Sequence, residues 1–89
     1  MIDVRLDGWL REYGPRTHES LAADSVEHLL DALESRYPRL KFKIRDETGQ
    51  LRPYVRVFVD GSDVSANDGV AASLAGVRSV AILHSIAGG

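Results

Sequence analysis

Cysteine is absent from this 89-residue sequence, and its absence excludes several classes of protein. A disulfide-stabilised scaffold, a zinc–thiolate site, a cysteine nucleophile and a protein persulfide all require a thiol. Aromatic residues make up only 7% of the chain, and there are three prolines. A domain this small and without covalent cross-links must be stabilised by a closely packed apolar core.

The sequence also lacks an excess of positive charge. Eleven lysines and arginines stand against thirteen acidic residues, which gives a formal net charge of −2. Domains that bind nucleic acid electrostatically carry a basic excess, so we expect no nucleic-acid partner. The first residues alternate apolar and charged side chains and contain no apolar segment typical of a signal peptide, which predicts a cytoplasmic protein with no membrane partner.

Motifs that carry catalysis are missing as well. The chain has no phosphate-binding loop, no dinucleotide fingerprint, no zinc-protease motif and no serine nucleophile elbow. The three histidines do not have the spacing of metal ligands, so we expect no metal and no bound cofactor. The acidic residues Glu27, Asp31 and Glu34 are interpreted as the solvated face of a helix rather than as acid–base groups. These absences leave the sequence without a recognisable catalytic motif.

What the sequence does contain is a set of strand patterns. Stretches that alternate apolar and polar residues, or that are rich in β-branched residues, predict strands at Ile2–Asp7, Thr17–Leu21, Tyr54–Val59 and Ser79–Ile86. Asp60-Gly61 is a dipeptide favoured in tight hairpin turns, and it predicts a short returning strand at Val64.

One helix is predicted between the second and third of these strands. Asp24 is interpreted as its N-cap, with Glu27 three residues later as in a capping box. Apolar residues recur from Val26 to Tyr37 with helical spacing, and Pro38 ends the helix. A single helix on one face of a small sheet is an α+β layer architecture.

A basic stretch follows the helix. Arg39, Lys41, Lys43 and Arg45 recur at every second position, and apolar residues lie between the last three. We interpret them as the solvent side of an edge strand. The alternative is a surface that meets an acidic partner.

The last two residues, Gly88 and Gly89, are a further signal. Glycine is small and has broad dihedral freedom, so such an end can enter a narrow channel in another protein. A terminal carboxylate is ionised at neutral pH and can attack the α-phosphorus of ATP. The resulting mixed anhydride would accept a sulfur or nitrogen nucleophile and release AMP. The alternative is a frayed terminus without a function.

Three blocks of sequence together resemble the ubiquitin-like β-grasp sulfur carriers, the family that includes the thiamine sulfur carrier and the small subunit of molybdopterin synthase. The blocks are Ser25–Pro38, Arg52–Val64 and Val80–Gly89. The Arg-Pro to Val-Phe-Val-Asp-Gly block and the Ala-Gly-Gly ending look most similar to the carrier type that serves cysteine synthesis.

The resemblance implies a β-grasp body at residues 1–83, with a small mixed sheet and one main helix, and a flexible tail at residues 84–89. It implies that Gly89 is adenylated by an E1-like enzyme, which uses the ATP, and is converted to a thiocarboxylate. Ile86, Ala87 and Gly88 would contact the partner.

The partners implied are the E1-like adenylating enzyme and a sulfur-accepting enzyme, either cysteine synthase-like or the large subunit of molybdopterin synthase. The carrier itself would be a non-catalytic co-substrate in cysteine synthesis. The main alternative is the small subunit of molybdopterin synthase. A ubiquitin-like protein modifier and a plain interaction domain are further alternatives.

Overall fold

The computed structural model describes residues 1–15 and 17–84, which form a five-stranded sheet and one α-helix. The strands are β1 (Ile2–Asp7), β2 (His18–Leu21), β3 (Val55–Val59), β4 (Ser62–Asp63) and β5 (Ser79–His84), and the helix is α1 (Val26–Arg36). Short 3-10 helices lie at Gly8–Glu12, Pro38–Leu40 and Gly69–Ala71. β1, β2 and β3 begin and end close to the predicted positions, and β5 begins at Ser79 as predicted, while its predicted end at Ile86 lies outside the described residues.

The strands are ordered β2-β1-β5-β3-β4 across the sheet. β5 therefore lies in the centre, parallel to β1 and antiparallel to β3. The predicted turn at Asp60-Gly61 is present, with φ of 47° and 87° at its two residues, and it leads into β4. The sheet is mixed, as predicted.

The core lies between one face of this sheet and α1. Alternate residues of a strand point to opposite faces, and those facing the helix are the buried ones. The buried apolar residues are Ile2, Val4, Leu6, Leu10, Leu21, Val26, Leu29, Leu30, Leu33, Leu40, Ile44, Val55, Val57, Ala72, Leu74, Val80 and Ile82. Within the described ranges, no helix is both long enough and apolar enough to cross a membrane.

The start of α1 differs from the prediction. The N-cap is Ser25, not Asp24, and its side chain accepts a hydrogen bond from the His28 amide at 3.2 Å. The carbonyl of Asp24 instead accepts a hydrogen bond from the Leu74 amide at 2.9 Å. This tertiary contact holds Asp24 outside the helix, so the predicted capping box with Glu27 does not form. The predicted stop at Pro38 is confirmed.

The basic stretch after the helix is not a strand. A 3-10 helix at Pro38–Leu40 is followed by Phe42 with φ of 67°, a left-handed conformation that an extended strand cannot contain. Leu40 and Ile44 are both fully buried and hold this turn against the core. The interpretation of residues 41–45 as an edge strand is therefore wrong, because burial of these two side chains outweighs the local alternation.

Arg45 also leaves the predicted basic face. Its guanidinium donates hydrogen bonds to Glu34 at 3.0 and 3.2 Å and to Asp31 at 2.9 Å, and the arginine side chain is only 11% exposed. Burial acts to lower the pKa of Arg45, but the bonds to Glu34 and Asp31 outweigh it and raise the pKa. Glu34 is thus an anchor for the turn rather than part of a solvated helix face.

Candidate functional site at the end of β5

The residues predicted to act, Ile86, Ala87, Gly88 and Gly89, lie outside the described part of the chain. The last described residue is His84, which ends β5. The predicted boundary between body and tail at 83/84 therefore falls one residue inside this strand. The site that can be built from the structure is the point at which the chain leaves β5 toward its C-terminus.

Because β5 is the central strand, this point lies in the middle of the row of strand ends on one side of the sheet. Leu83 pairs with Asp7 at the end of β1, and His84 pairs with Val55 at the start of β3. The chain beyond His84 therefore begins between two neighbouring strands rather than at a corner of the sheet. Only the parallel pairing of β1 with β5 brings the residues that follow β1 to this position.

Gly8 follows β1 and lies directly beside the end of β5. Its φ is 68°, and a Cβ atom placed on it would lie 3.2 Å from the carbonyl oxygen of His84. Both features favour glycine, since other L-residues are strained at this φ and a side chain would crowd the oxygen. The strand pattern predicts the end of β1 here but gives no sign of this close approach.

Aromatic side chains surround the ring of His84. The ring of Trp9 lies 4.3 Å from it, centroid to centroid, and that of Tyr54 lies 6.0 Å from it. Trp9 and Tyr54 are 38% and 44% exposed. The Nδ1 atom of His84 is buried and has no hydrogen-bond partner among the described residues. We refer to Trp9, Tyr54 and His84 as the aromatic collar.

A second aromatic contact extends the collar toward the basic turn. Tyr13 meets Trp9 edge-on, with ring centroids 5.5 Å apart and planes at 81°. The guanidinium carbon of Arg39 lies 5.1 Å from the Tyr13 centroid, and the Nζ atom of Lys43 lies 4.9 Å from it. These distances fall within the range of cation–π interactions.

The sheet face opposite α1 is open and shallow. Its apolar centre comes from Phe58 of β3 and from Ala81 and Leu83 of β5, which alternate with the buried residues of the same strands. At its rim, Arg5 lies 3.6 Å from Asp7 and His18 lies 2.9 Å from Asp3, while Arg11 has no ion-pair partner among the described residues.

No group of three or more histidine or acidic side chains within residues 1–15 and 17–84 could hold a metal ion. The collar is aromatic, and its Trp9 and Tyr54 side chains are partly exposed. Trp9 lies at the rim of the core, and no local pattern in the sequence predicts its contact with His84.

Comparison with known proteins gives a match over most of the chain. Residues 4–89 match the model of the ThiS family. The sulfur carrier protein CysO of Mycobacterium tuberculosis and that of Mycobacterium bovis are each 30% identical to this chain over 91 aligned positions, covering 99% of it and 98% of the relative.

Solved structures agree with this assignment. A chain of the BexX/CysO complex from Amycolatopsis orientalis superposes with a TM-score of 0.85 at 26% identity, covering all of both chains. CysO from M. tuberculosis gives 0.83 at 26% identity, covering 97% of this chain and all of that one. The small archaeal modifier SAMP1 of Methanosarcina acetivorans shares the fold, with a TM-score of 0.81 at 23% identity and 99% and 95% of the two chains covered. The chain therefore belongs to the ThiS family and has the ubiquitin-like β-grasp fold.

Proposed function

We propose that this protein is a sulfur carrier that acts through the carboxylate of Gly89. The observation that carries this proposal is the family match, which extends through residue 89 and so includes the terminal diglycine. The full-length similarity to proteins named sulfur carrier protein CysO supports it.

Activation of the terminal carboxylate is proposed to proceed in two steps. In the first, an oxygen of the Gly89 carboxylate attacks the α-phosphorus of ATP on an E1-like enzyme, and pyrophosphate leaves. In the second, a hydrosulfide attacks the carbonyl carbon of this acyl adenylate, AMP leaves, and the loss of a proton yields a thiocarboxylate. The thiocarboxylate sulfur then forms a bond to an electrophile held by the accepting enzyme, and water cleaves the C–S bond of the resulting thioester, so that the acceptor keeps the sulfur and the carrier returns with a carboxylate. This cycle assigns all catalytic groups, and the ATP, to the partners.

The fold is consistent with a body that is held by a partner and a C-terminal segment that carries the reacting group. Residues 85–89 follow a central strand, and five extended residues can reach about 17 Å beyond its end. That reach is sufficient for a partner to hold the β-grasp body and still place Gly89 at a reaction centre. In this proposal Ile86 and Ala87 direct the segment, and Gly88 gives it clearance in a narrow channel.

Incubation with an E1-like enzyme from the same genome, ATP and sulfide tests the proposal. We expect intact-mass spectrometry to show a gain equal to the exchange of one oxygen for sulfur. A Gly89→Ala variant should unfold at the same temperature as the wild type but lose this gain, because the added methyl group obstructs the channel. Absence of the mass gain in the wild type with every such enzyme would refute the proposal.

The accepting enzyme is proposed to be of the cysteine-synthesis type, since the curated relatives are CysO proteins. A thiocarboxylated carrier should then give up its sulfur to a cysteine synthase-like enzyme of the same genome. Sulfur transfer only to a molybdopterin-synthase large subunit would instead identify the chain as the small subunit of that enzyme.

A further inference from the structure

Two cations share one aromatic ring beside the aromatic collar. Arg39 and Lys43 both lie within cation–π distance of Tyr13, at 5.1 and 4.9 Å. We call these three residues the Tyr13 patch. Arg39 is exposed and Lys43 half-buried, so both charged groups remain available to a partner.

The charges of the Tyr13 patch are not neutralised by the protein itself. Among the described residues, neither Arg39 nor Lys43 has a carboxylate within 4.0 Å. By contrast, Arg36 is paired with Glu19 at 2.6 Å, and Arg45 is paired with the carboxylates of α1. Other described cations, such as Arg11 and Arg78, also lack a carboxylate partner, but Arg39 and Lys43 lie against the same ring and so concentrate positive charge on a chain with a net charge of −2. Such a segregated charge favours association with a surface of opposite sign.

The position of the cations is set by the fold rather than by flexible side chains alone. Buried Leu40 and Ile44 anchor the turn on either side of Lys43, and the Lys43 amide donates a hydrogen bond to the Leu40 carbonyl at 2.9 Å. Contact with the ring further limits the freedom of the two long side chains. A partner therefore meets charges that are already placed, and less side-chain entropy is lost on binding.

The Tyr13 patch is also connected to the point where the chain leaves the sheet. Tyr13 touches Trp9, and Trp9 touches His84 at the end of β5. A protein that receives residues 85–89 must approach this edge of the molecule. The rim of the open sheet face offers fewer free cations, because Arg5 and His18 are paired with carboxylates and, of its described lining cations, Arg11 alone has no carboxylate partner.

We propose that the Tyr13 patch docks on a carboxylate-rich surface of the enzyme that activates the C-terminus. This inference rests on the proposed function and adds the chemistry by which the partner recognises the body of the carrier. A protein partner is favoured over nucleic acid because domains that bind nucleic acid carry a basic excess over many phosphate contacts, which this chain lacks, whereas two placed cations are sufficient for a local contact with carboxylates. The patch is a docking surface and touches none of the reacting atoms.

The test uses charge reversal in the full-length protein. Arg39→Glu and Lys43→Glu are compared with Arg78→Glu, an exposed arginine before β5, at the opposite end of the central strand from His84. The readout is ATP–pyrophosphate exchange catalysed by the E1-like enzyme as a function of carrier concentration. We expect KM for the carrier to rise about tenfold in each patch variant, with kcat changed less than about twofold, because docking rather than chemistry is weakened. Arg78→Glu should behave as the wild type.

The dependence of KM on ionic strength is a second readout, which a merely structural role of these residues would not change. The wild-type KM should increase between low and physiological ionic strength, and this increase should be smaller in the patch variants. If the wild type is activated and all variants show the same KM and the same salt dependence as the wild type, the docking proposal is overturned but the proposed function is not. No activation of the wild type would overturn the proposed function and, with it, the docking proposal.

A nucleic-acid partner gives a different result. If a fluorescein-labelled single-stranded RNA bound the wild type and both patch variants lost this binding while KM stayed unchanged, the docking proposal would be overturned. The expected anisotropy signal shows no binding at physiological salt.

Discussion

At the scale of single residues, the most demanding position near the site is Gly8. It combines a φ of 68° with a carbonyl oxygen of His84 that lies 3.2 Å from where a Cβ atom would be. Gly76 has a similar φ of 73°, but no atom lies within 4 Å of a Cβ placed there. The two glycines therefore allow backbone strain to be separated from crowding at the end of β5.

We predict that Gly8→Ala lowers the free energy of unfolding by about 2 kcal/mol, and that Gly76→Ala lowers it by about 1 kcal/mol. Urea unfolding of both variants measures the difference, which reports the contact with His84. Equal losses would show that the close approach at Gly8 has no energetic consequence.

At the scale of elements, Arg45 joins the turn after the helix to α1. Its side chain and that of Glu34 are 11% and 15% exposed, whereas the Arg56–Asp63 pair is 46% and 38% exposed with 3.8 Å between its charged atoms. A charged pair that is largely out of water leaves an uncompensated charge when one partner is removed, while an exposed pair is rehydrated.

Arg45→Met should therefore cost about 2 kcal/mol of unfolding free energy, because the Glu34 carboxylate loses its hydrogen-bonded partner. The control Arg56→Met should cost less than about 0.5 kcal/mol. Urea titrations at neutral pH compare the two. A loss at Arg45 no greater than that at Arg56 would mean that the turn is held by Leu40 and Ile44 alone.

At the scale of the whole molecule, the described core ends before the C-terminal segment. Among residues 1–15 and 17–84, the buried apolar residue nearest the C-terminus is Ile82, in the central strand. Deletion of residues 85–89 is therefore predicted to change the free energy of unfolding by less than about 0.5 kcal/mol, while abolishing activation by an E1-like enzyme. Thermal or urea unfolding measures the first effect, and pyrophosphate exchange measures the second. A stability loss well above 1 kcal/mol would mean that the segment packs on the body, contrary to its proposed role.

Much of the architecture could be predicted because the patterns are strong and local. Period-two alternation marks Ile2–Asp7, and β-branched residues with a following Asp60-Gly61 mark β3 and its turn. The apolar spacing of α1 and the stop at Pro38 are likewise local signals. Errors arose at the N-cap and in the basic turn, where the hydrogen bond between Leu74 and Asp24 and the burial of Ile44 outweigh local preference.

The amino-acid sequence by itself determined the main strands and the helix, the class of fold, the family and the candidate carboxylate at Gly89. Each of these depends on residue types at short spacing along the chain or on short sequence motifs. Only the tertiary structure decided what surrounds the end of β5. Trp9, Tyr13, Lys43 and His84 come together because β1 and β5 pair in parallel and because two buried side chains fold the basic turn back onto the core. Contacts between residues so far apart in the chain depend on strand order and on burial, neither of which a local pattern contains.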